Sequence, residues 1–343
     1  MTEAQLESSY QRLGVETARD LMSALVTVLR VVATAVLGTI CMTLGLASIA
    51  SASPIRSRAA VAPVPGYWLM GEDGGVFSFN ARFLGTTASQ CDASVAFSCA
   101  TAIASTPDGG GYTLVTPIPN GTGQLTEQFG DATGNESCTT GSVHFSAAAA
   151  PESTPVTLAD PWTAIASTPS GHGFWMLNQG GNLAYCGDAG YFGDMGFVPG
   201  FVPFVSSIAV GIAATPDGKG YWVATSDGGV FAFGNAGFYG SMGGKRLNAP
   251  IRGIAATPDG KGYWLVALDG GVFAFGDAHF YGSMGGHPLN APMGEIAANP
   301  NGLGYWTVAE DGGVFSFGGA PFEGSMGGHA LIAPILGFAS RAG

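Results

Sequence analysis

Charged side chains are scarce: only 10% of the 343 residues are Asp, Glu, Lys or Arg, with 12 basic against 24 acidic. The net charge of −12 leaves no basic patch with which to neutralise phosphates, which excludes nucleic acid as a partner. Cysteine and histidine number five each, with no CxxC pair and no histidine-rich spacing, so no zinc site is expected. A nucleophile elbow is missing too. Ser241, Ser283 and Ser325 sit in Gly-Ser-Met-Gly without a glycine two positions earlier and read as turn serines. Arg82, Arg246, Arg252 and Arg341 are scattered over different repeat positions, so no arginine cluster is formed to grip a carboxylate. No cofactor is expected, and catalysis has no visible constellation to carry it.

What the chain does have is 46% hydrophobic residues and 56 glycines. The glycines lack the three-residue period of collagen and cluster between apolar runs, where β-turns need positive φ. Asp217, Asp227, Asp259, Asp269 and Asp311 fall in the same turn contexts, where a carboxylate can accept from its own nearby backbone. The fold class is therefore all-β.

Residues 31–50 are uncharged, follow Arg30, and lead into Ala50-Ser51-Ala52, a small-x-small cleavage pattern. Residues 1–52 are expected to be a secretory signal, with translation from Met22 giving the more ordinary leader. The alternative is an uncleaved anchor, since about 20 apolar residues span a bilayer. A Pro- and Ala-rich linker, 53–65, follows. Cys91, Cys99, Cys138 and Cys186 are an even set in an exported chain and favour disulfides. Three pairings are open. Cys91 with Cys99 and Cys138 with Cys186 is preferred, because the first two share one insertion and the others fall in neighbouring repeats.

Trp222, Trp264 and Trp306 lie 42 residues apart, a period typical of propeller blades. In the clearest copy, four apolar runs (251–257, 262–268, 272–275 and 280–283) are separated by Pro-Asp-Gly, Asp-Gly-Gly and Gly-Asp turns. The second run, Tyr263-Trp264-Leu265-Val266-Ala267, has no polar alternation and must be covered on both faces. Its tryptophan is expected in the core between blades rather than on a sugar. Weaker copies begin at Gly66, Gly111 and Gly173, giving six. The first copy lacks its first run, and the C-terminal phrase Ala333 to Ser340 matches Ala249 to Ala256. The expectation for 66–343 is a six-bladed β-propeller of four-stranded blades, its ring closed by the C-terminal strand completing blade one, with no open edges.

The phrase GYWLVALDGGVFAFGDAHFYGSMGG resembles the tandem repeat of exported actinobacterial proteins, found alone or appended to hydrolase domains. The resemblance covers 66–343 and implies an extracytoplasmic β-propeller without implying an activity. Blades one to three depart from it, with Thr113 in place of Trp and Cys186 where blade five has Phe275. Thr215-Pro216-Asp217-Gly218-Lys219-Gly220-Tyr221-Trp222 is also similar to the Asp-box hairpin of sialidase-type propellers, a structural element.

Function is sought in the unrepeated parts. Residues 86–102 and 197–205 lengthen crossings from one blade to the next, 117–121 lengthens a turn between second and third strands, and 133–162 separates blades two and three. Most of these fall on one face, beside the Met-Gly-Gly crossings of blades four to six, and loops on a rigid frame are where binding sits. The candidate contact residues are Phe197, Phe201, Phe204, Met242, Lys245, Met284, His287, Met326 and His329. His287 and His329 share a repeat position with Lys245, and two imidazoles alone fall short of a divalent site. The function expected is a monomeric, non-catalytic binding or scaffolding module at the cell surface, recognising an envelope glycan or another exported protein. The alternative is a propeller hydrolase of glycans or esters, marked by paired carboxylates at an axial pocket.

Overall fold

The computed structural model describes residues 66–88, 99–116, 126–130, 144–145, 162–195 and 208–341. The chain divides into units 1–61 and 62–343, and all described residues belong to the second. The apolar segment 31–50, Cys91, Cys138 and Phe197, Phe201 and Phe204 lie outside them.

The described residues form small antiparallel sheets, one per repeat. Sheet 1 contains β1 (Tyr67–Gly71) and β2 (Val76–Phe79); sheet 2 contains β3 (Ala102–Ser105), β4 (Gly111–Val115) and β5 (Thr126–Gly130). Sheet 3 is built from β6 (His144–Phe145), β7 (Trp162–Ser167), β8 (Gly173–Asn178) and β9 (Leu183–Gly187), in the order β6-β9-β8-β7. Sheet 4 has β10 (Ala209–Ala214), β11 (Gly220–Thr225) and β12 (Val230–Gly234), and sheet 5 has β13 (Ile251–Ala256), β14 (Gly262–Ala267) and β15 (Val272–Gly276). Sheet 6 has β16 (Met293–Ala298), β17 (Gly304–Ala309) and β18 (Val314–Gly318). The last strand, β19 (Ile335–Ser340), returns to sheet 1 and pairs antiparallel with β1, Tyr67 opposite Ser340 and Leu69 opposite Phe338.

Every middle strand of sheets 3 to 6 is buried along its whole length, as a strand apolar on both faces requires. Six apolar clusters fill the spaces between sheets, and each joins two consecutive ones. Trp222 and Ala213 of sheet 4 pack with Ile254 and Tyr263 of sheet 5; Trp264 and Ala255 of sheet 5 pack with Ile296 and Tyr305 of sheet 6. The same pattern joins sheet 6 to sheet 1 through Trp306, Phe338 and Tyr67, and sheet 1 to sheet 2 through Trp68, Ile103 and Tyr112. Sheets 3 and 4 meet through Trp175 and Tyr221, whereas between sheets 2 and 3 Trp162 and Cys186 occupy the cluster and the tryptophan position holds Thr113.

Four-stranded sheets were expected; among the described residues five of the six sheets have three strands. The fourth run is diverted because side chains take its backbone groups. In sheet 5, Trp264 Nε1 donates to His279 O, the Tyr281 amide donates to the Tyr305 hydroxyl of the next sheet, and Met284 N–H donates to Gly270 O. Gly276 (φ 70°) and Gly282 (φ 123°) sit at the two bends, and a Cβ on Gly282 would lie 3.0 Å from Phe317. Among the described residues one fourth strand forms: β6, from the long insertion preceding its sheet, pairs with the outer edge of β9.

Candidate functional site

The crossing face is held together by short, repeated contacts. In sheets 4, 5 and 6 the amides of Met242, Met284 and Met326 donate to the carbonyls of Gly228, Gly270 and Gly312, in the turn between second and third strands. A Cβ on any of those glycines would meet the methionine Cβ at 2.5–2.6 Å, so the methionine sits directly on the turn. Met242, Met284 and Met326 are therefore partly covered and anchor the crossings. One turn further on, Lys245, His287 and His329 donate their amides to those methionine carbonyls and are exposed. The glycine before each, Gly244, Gly286 or Gly328, has nothing within 4 Å of where its Cβ would lie, so these three tips stand clear. Among the described residues no group of three or more His, Cys, Asp or Glu is placed to hold a metal ion.

The same face carries hydrogen bonds from sheet to sheet. The amides of Ile251, Met293 and Ile335, each opening a first strand, donate to Ser226, Leu268 and Glu310 in the turns of the preceding sheet. Away from that turn, at the starts of the second strands, tyrosine hydroxyls add a second set of links between sheets: Tyr263 donates to Gly240 O, Tyr305 to Gly282 O and Tyr67 to Gly324 O. Burial outweighs these hydrogen bonds in setting the phenol acidity and pushes Tyr305 up to about 12. The turn aspartates behave as their sequence context implies. Asp217, Asp227, Asp259, Asp269 and Asp311 each accept an amide two residues on, at 2.9–3.2 Å. In Asp259 the Lys261 ammonium at 2.9 Å is the largest influence holding the carboxyl below its usual range.

At the opposite ends of the first strands lies a cleft of about 380 Å³, where sheets 1, 2, 3, 4 and 6 converge. Ile103, Ser105, Ser167, Thr168, Thr215 and Ser340 are among its lining residues, none of which is Asp, Glu or His. Several of its hydroxyls already have partners: Ser105 donates to Ser340 O, Thr168 to Asp188 and Thr215 to Asp217.

Glu295 was not among the residues expected to matter. Each first strand of sheets 1 and 3 to 6 carries one extra residue in its ladder, Leu336, Thr163, Val210, Arg252 or Gly294. The residue after it is Gly or Ala everywhere except in β16, where it is Glu295. Its Oε2 lies 3.5 Å from the Cβ position of Gly253 on β13, filling room that the small residue leaves. The residue keeps some accessible surface, but the carboxyl group is enclosed, and burial raises its pKa to about 8 against the opposing pull of Arg252.

Six antiparallel sheets linked by repeated clusters define an all-β repeat protein. No family model matches the chain, and no curated protein matches it. Among solved structures it is similar to a chain in a crystal structure of a mitotic checkpoint complex, at 12% identity and a TM-score of 0.36. The match covers 50% of this chain and 52% of the other, so the chain spans about half of that relative, and a likeness at this level carries no inference about function.

Proposed function

We propose that the chain is a closed six-bladed propeller acting outside the cytoplasm as a non-catalytic binding or scaffolding module. Its partner is an envelope glycan or another exported protein, taken up by the crossing face. In support of closure, the six clusters link sheets 1 to 6 in order and then sheet 6 back to sheet 1. In support of an extracytoplasmic location, Cys99 and Cys186 are each disulfide-bonded.

The observation that carries the binding role is the division of labour within each crossing. The methionine anchors it to the frame, and the tip at Lys245, His287 or His329 is left free of intramolecular packing. A frame this heavily cross-linked needs no contribution from those tips, so their replacement should not touch stability. The triple variant Lys245→Ala, His287→Ala, His329→Ala is expected to melt with the parent and to lose at least about tenfold in affinity for envelope material, roughly the effect of removing a few rim contacts. Unchanged binding by the folded triple variant would remove the crossing tips from the contact surface.

A further inference from the structure

Four phenylalanines stand in water at one repeat position. Phe83, Phe238, Phe280 and Phe322 are 54, 62, 51 and 60% exposed, at the start of the crossings that leave sheets 1, 4, 5 and 6. Each follows a residue whose carbonyl is tied to the core. Arg82 O accepts from Trp68 Nε1, Gly237 O from Trp222, His279 O from Trp264 and Pro321 O from Trp306, at 2.6–2.9 Å. The residue after the phenylalanine is tied as well. The amides of Tyr239, Tyr281 and Glu323 donate to the hydroxyls of Tyr263, Tyr305 and Tyr67 in the next sheet, and in sheet 1 the tie falls one residue later, from Gly85 to Tyr112. With its backbone held on both sides, each phenylalanine is kept at the surface. Little conformational freedom is left to lose on binding.

We propose that these four rings are stacking platforms for the sugar rings of a neutral polysaccharide. Each ring follows a different sheet, and among the described residues none of the four is in ring contact with another, so they are offered as separate faces. A protein partner needs a continuous patch, of about 800 Å² per side with an apolar centre. Single aromatic faces set among polar groups instead match a ligand whose apolar faces are small and repeated, as the C–H faces of pyranose rings are. Polar partners stand beside them: the Tyr239 hydroxyl reaches Gly260 O next to Asp259 and Lys261, and the His279 ring lies 4.8 Å from that of Tyr281. Charge removes the anionic polymers, because the protein carries −12 overall and Asp259, Asp277 and Glu323 lie in the segments around these same rings. The regular spacing of the platforms rests on the propeller reading above; their exposure and clamping do not.

The test is affinity electrophoresis of the full chain through gels containing a soluble β-glucan, an α-glucan or a galactomannan, with polygalacturonate as the anionic polymer. Retention by at least one neutral polymer and none by polygalacturonate is expected. Phe280→Ala should weaken retention about 3- to 10-fold, the worth of one aromatic contact. The combined Phe238→Ala, Phe280→Ala, Phe322→Ala chain should lose about 100-fold or more, because linked weak contacts fail together. The exposed positions leave folding intact, which the unfolding curve of each variant checks. Unchanged retention by the combined variant overturns the proposal, as does the absence of retention by any of the three neutral polymers. So does a dimer of the parent that the combined variant converts to monomer, since a second copy would then cover the rings. Loss of retention in the Lys245, His287, His329 variant with the phenylalanine variants unaffected would also overturn it, while leaving the crossing-face function standing. Failure of ring closure is read separately, by the distance measurement that ends the Discussion.

Discussion

A chain ending at Pro334 is expected to lose its cooperative folded state. Residues 335–340 supply the strand paired to β1 on that side, and their removal strips partners from two clusters at once. Ile335, Phe338 and Ala339 no longer contribute, and Tyr67, Trp68 and Leu69, all fully buried in the intact chain, each lose one covered face. At 1.5–3 kcal/mol per large apolar side chain, the loss comes to about 5–8 kcal/mol. Domains are stable by only about 5–15 kcal/mol in total. The exposed β1 edge would in addition offer unpaired backbone to other chains. Denaturant unfolding and sedimentation of the truncated chain check this: loss of the transition, with association, is expected. A monomer that unfolds like the parent would mean that sheet 1 stands without β19.

Replacing Glu295 by glutamine is expected to stabilise the protein at alkaline pH and to flatten its dependence on pH. The folded carboxyl has a pKa of about 8 against an ordinary 4.5, because burial penalises the charged form more than Arg252 favours it. Between those two values the folded state holds a proton that the unfolded state has released. Stability therefore falls as pH rises from 4.5 towards 8 and levels off above, once both states are ionised. At 1.36 kcal/mol per unit of difference the total penalty is about 5 kcal/mol, an upper figure because some solvent reaches the residue. Glu295→Gln removes the titration and with it this slope. Arg252→Ala should carry the fall on to higher pH and enlarge its total, since it takes away the attraction that favours the charged form. Urea unfolding at pH 5, 7 and 9 distinguishes the outcomes, and parallel curves for parent and glutamine variant would show that Glu295 ionises freely in the folded state.

In the clearest copy the repeat phrase predicts the first three strands to within a residue: Ile251–Ala256, Gly262–Ala267 and Val272–Gly276. These strands are legible because their pattern answers to burial alone: apolar on both faces, with glycine-rich turns at each end. The tryptophans were legible on the same ground and are fully buried. The run from Phe280 to Ser283 has the composition of a strand and is not one. Its course depends on an indole from its own sheet and a phenol from the next, and neither is visible in a local pattern. Reading it as a strand also hid the exposed Phe238, Phe280 and Phe322. Their signal was present in the sequence, an unvarying phenylalanine at one position of the three clearest repeats.

Met242, Met284 and Met326, expected at the contact surface, are half-buried, each resting on the glycine in the turn between second and third strands of its own sheet. Lys245, His287 and His329 are exposed as the loop reading implies. Glu295 could have been noticed as the one acidic residue in a first-strand phrase otherwise built from Gly, Ala and Ile. What a sequence conceals there is that neighbouring first strands approach closely enough for Gly253 to make room for the carboxylate.

Closure of the chain on itself is tested most directly by a distance. Nitroxide side chains at positions 72 and 332 report it through their dipolar coupling, because the Glu72 amide donates to Pro334 O at 2.9 Å and Ile332 is almost wholly exposed. A closed ring predicts a separation below about 20 Å, since two residues of chain span at most about 7 Å beyond that hydrogen bond. An open stack of six sheets spaced about 10 Å apart would place the labels about 50 Å apart and would contradict it.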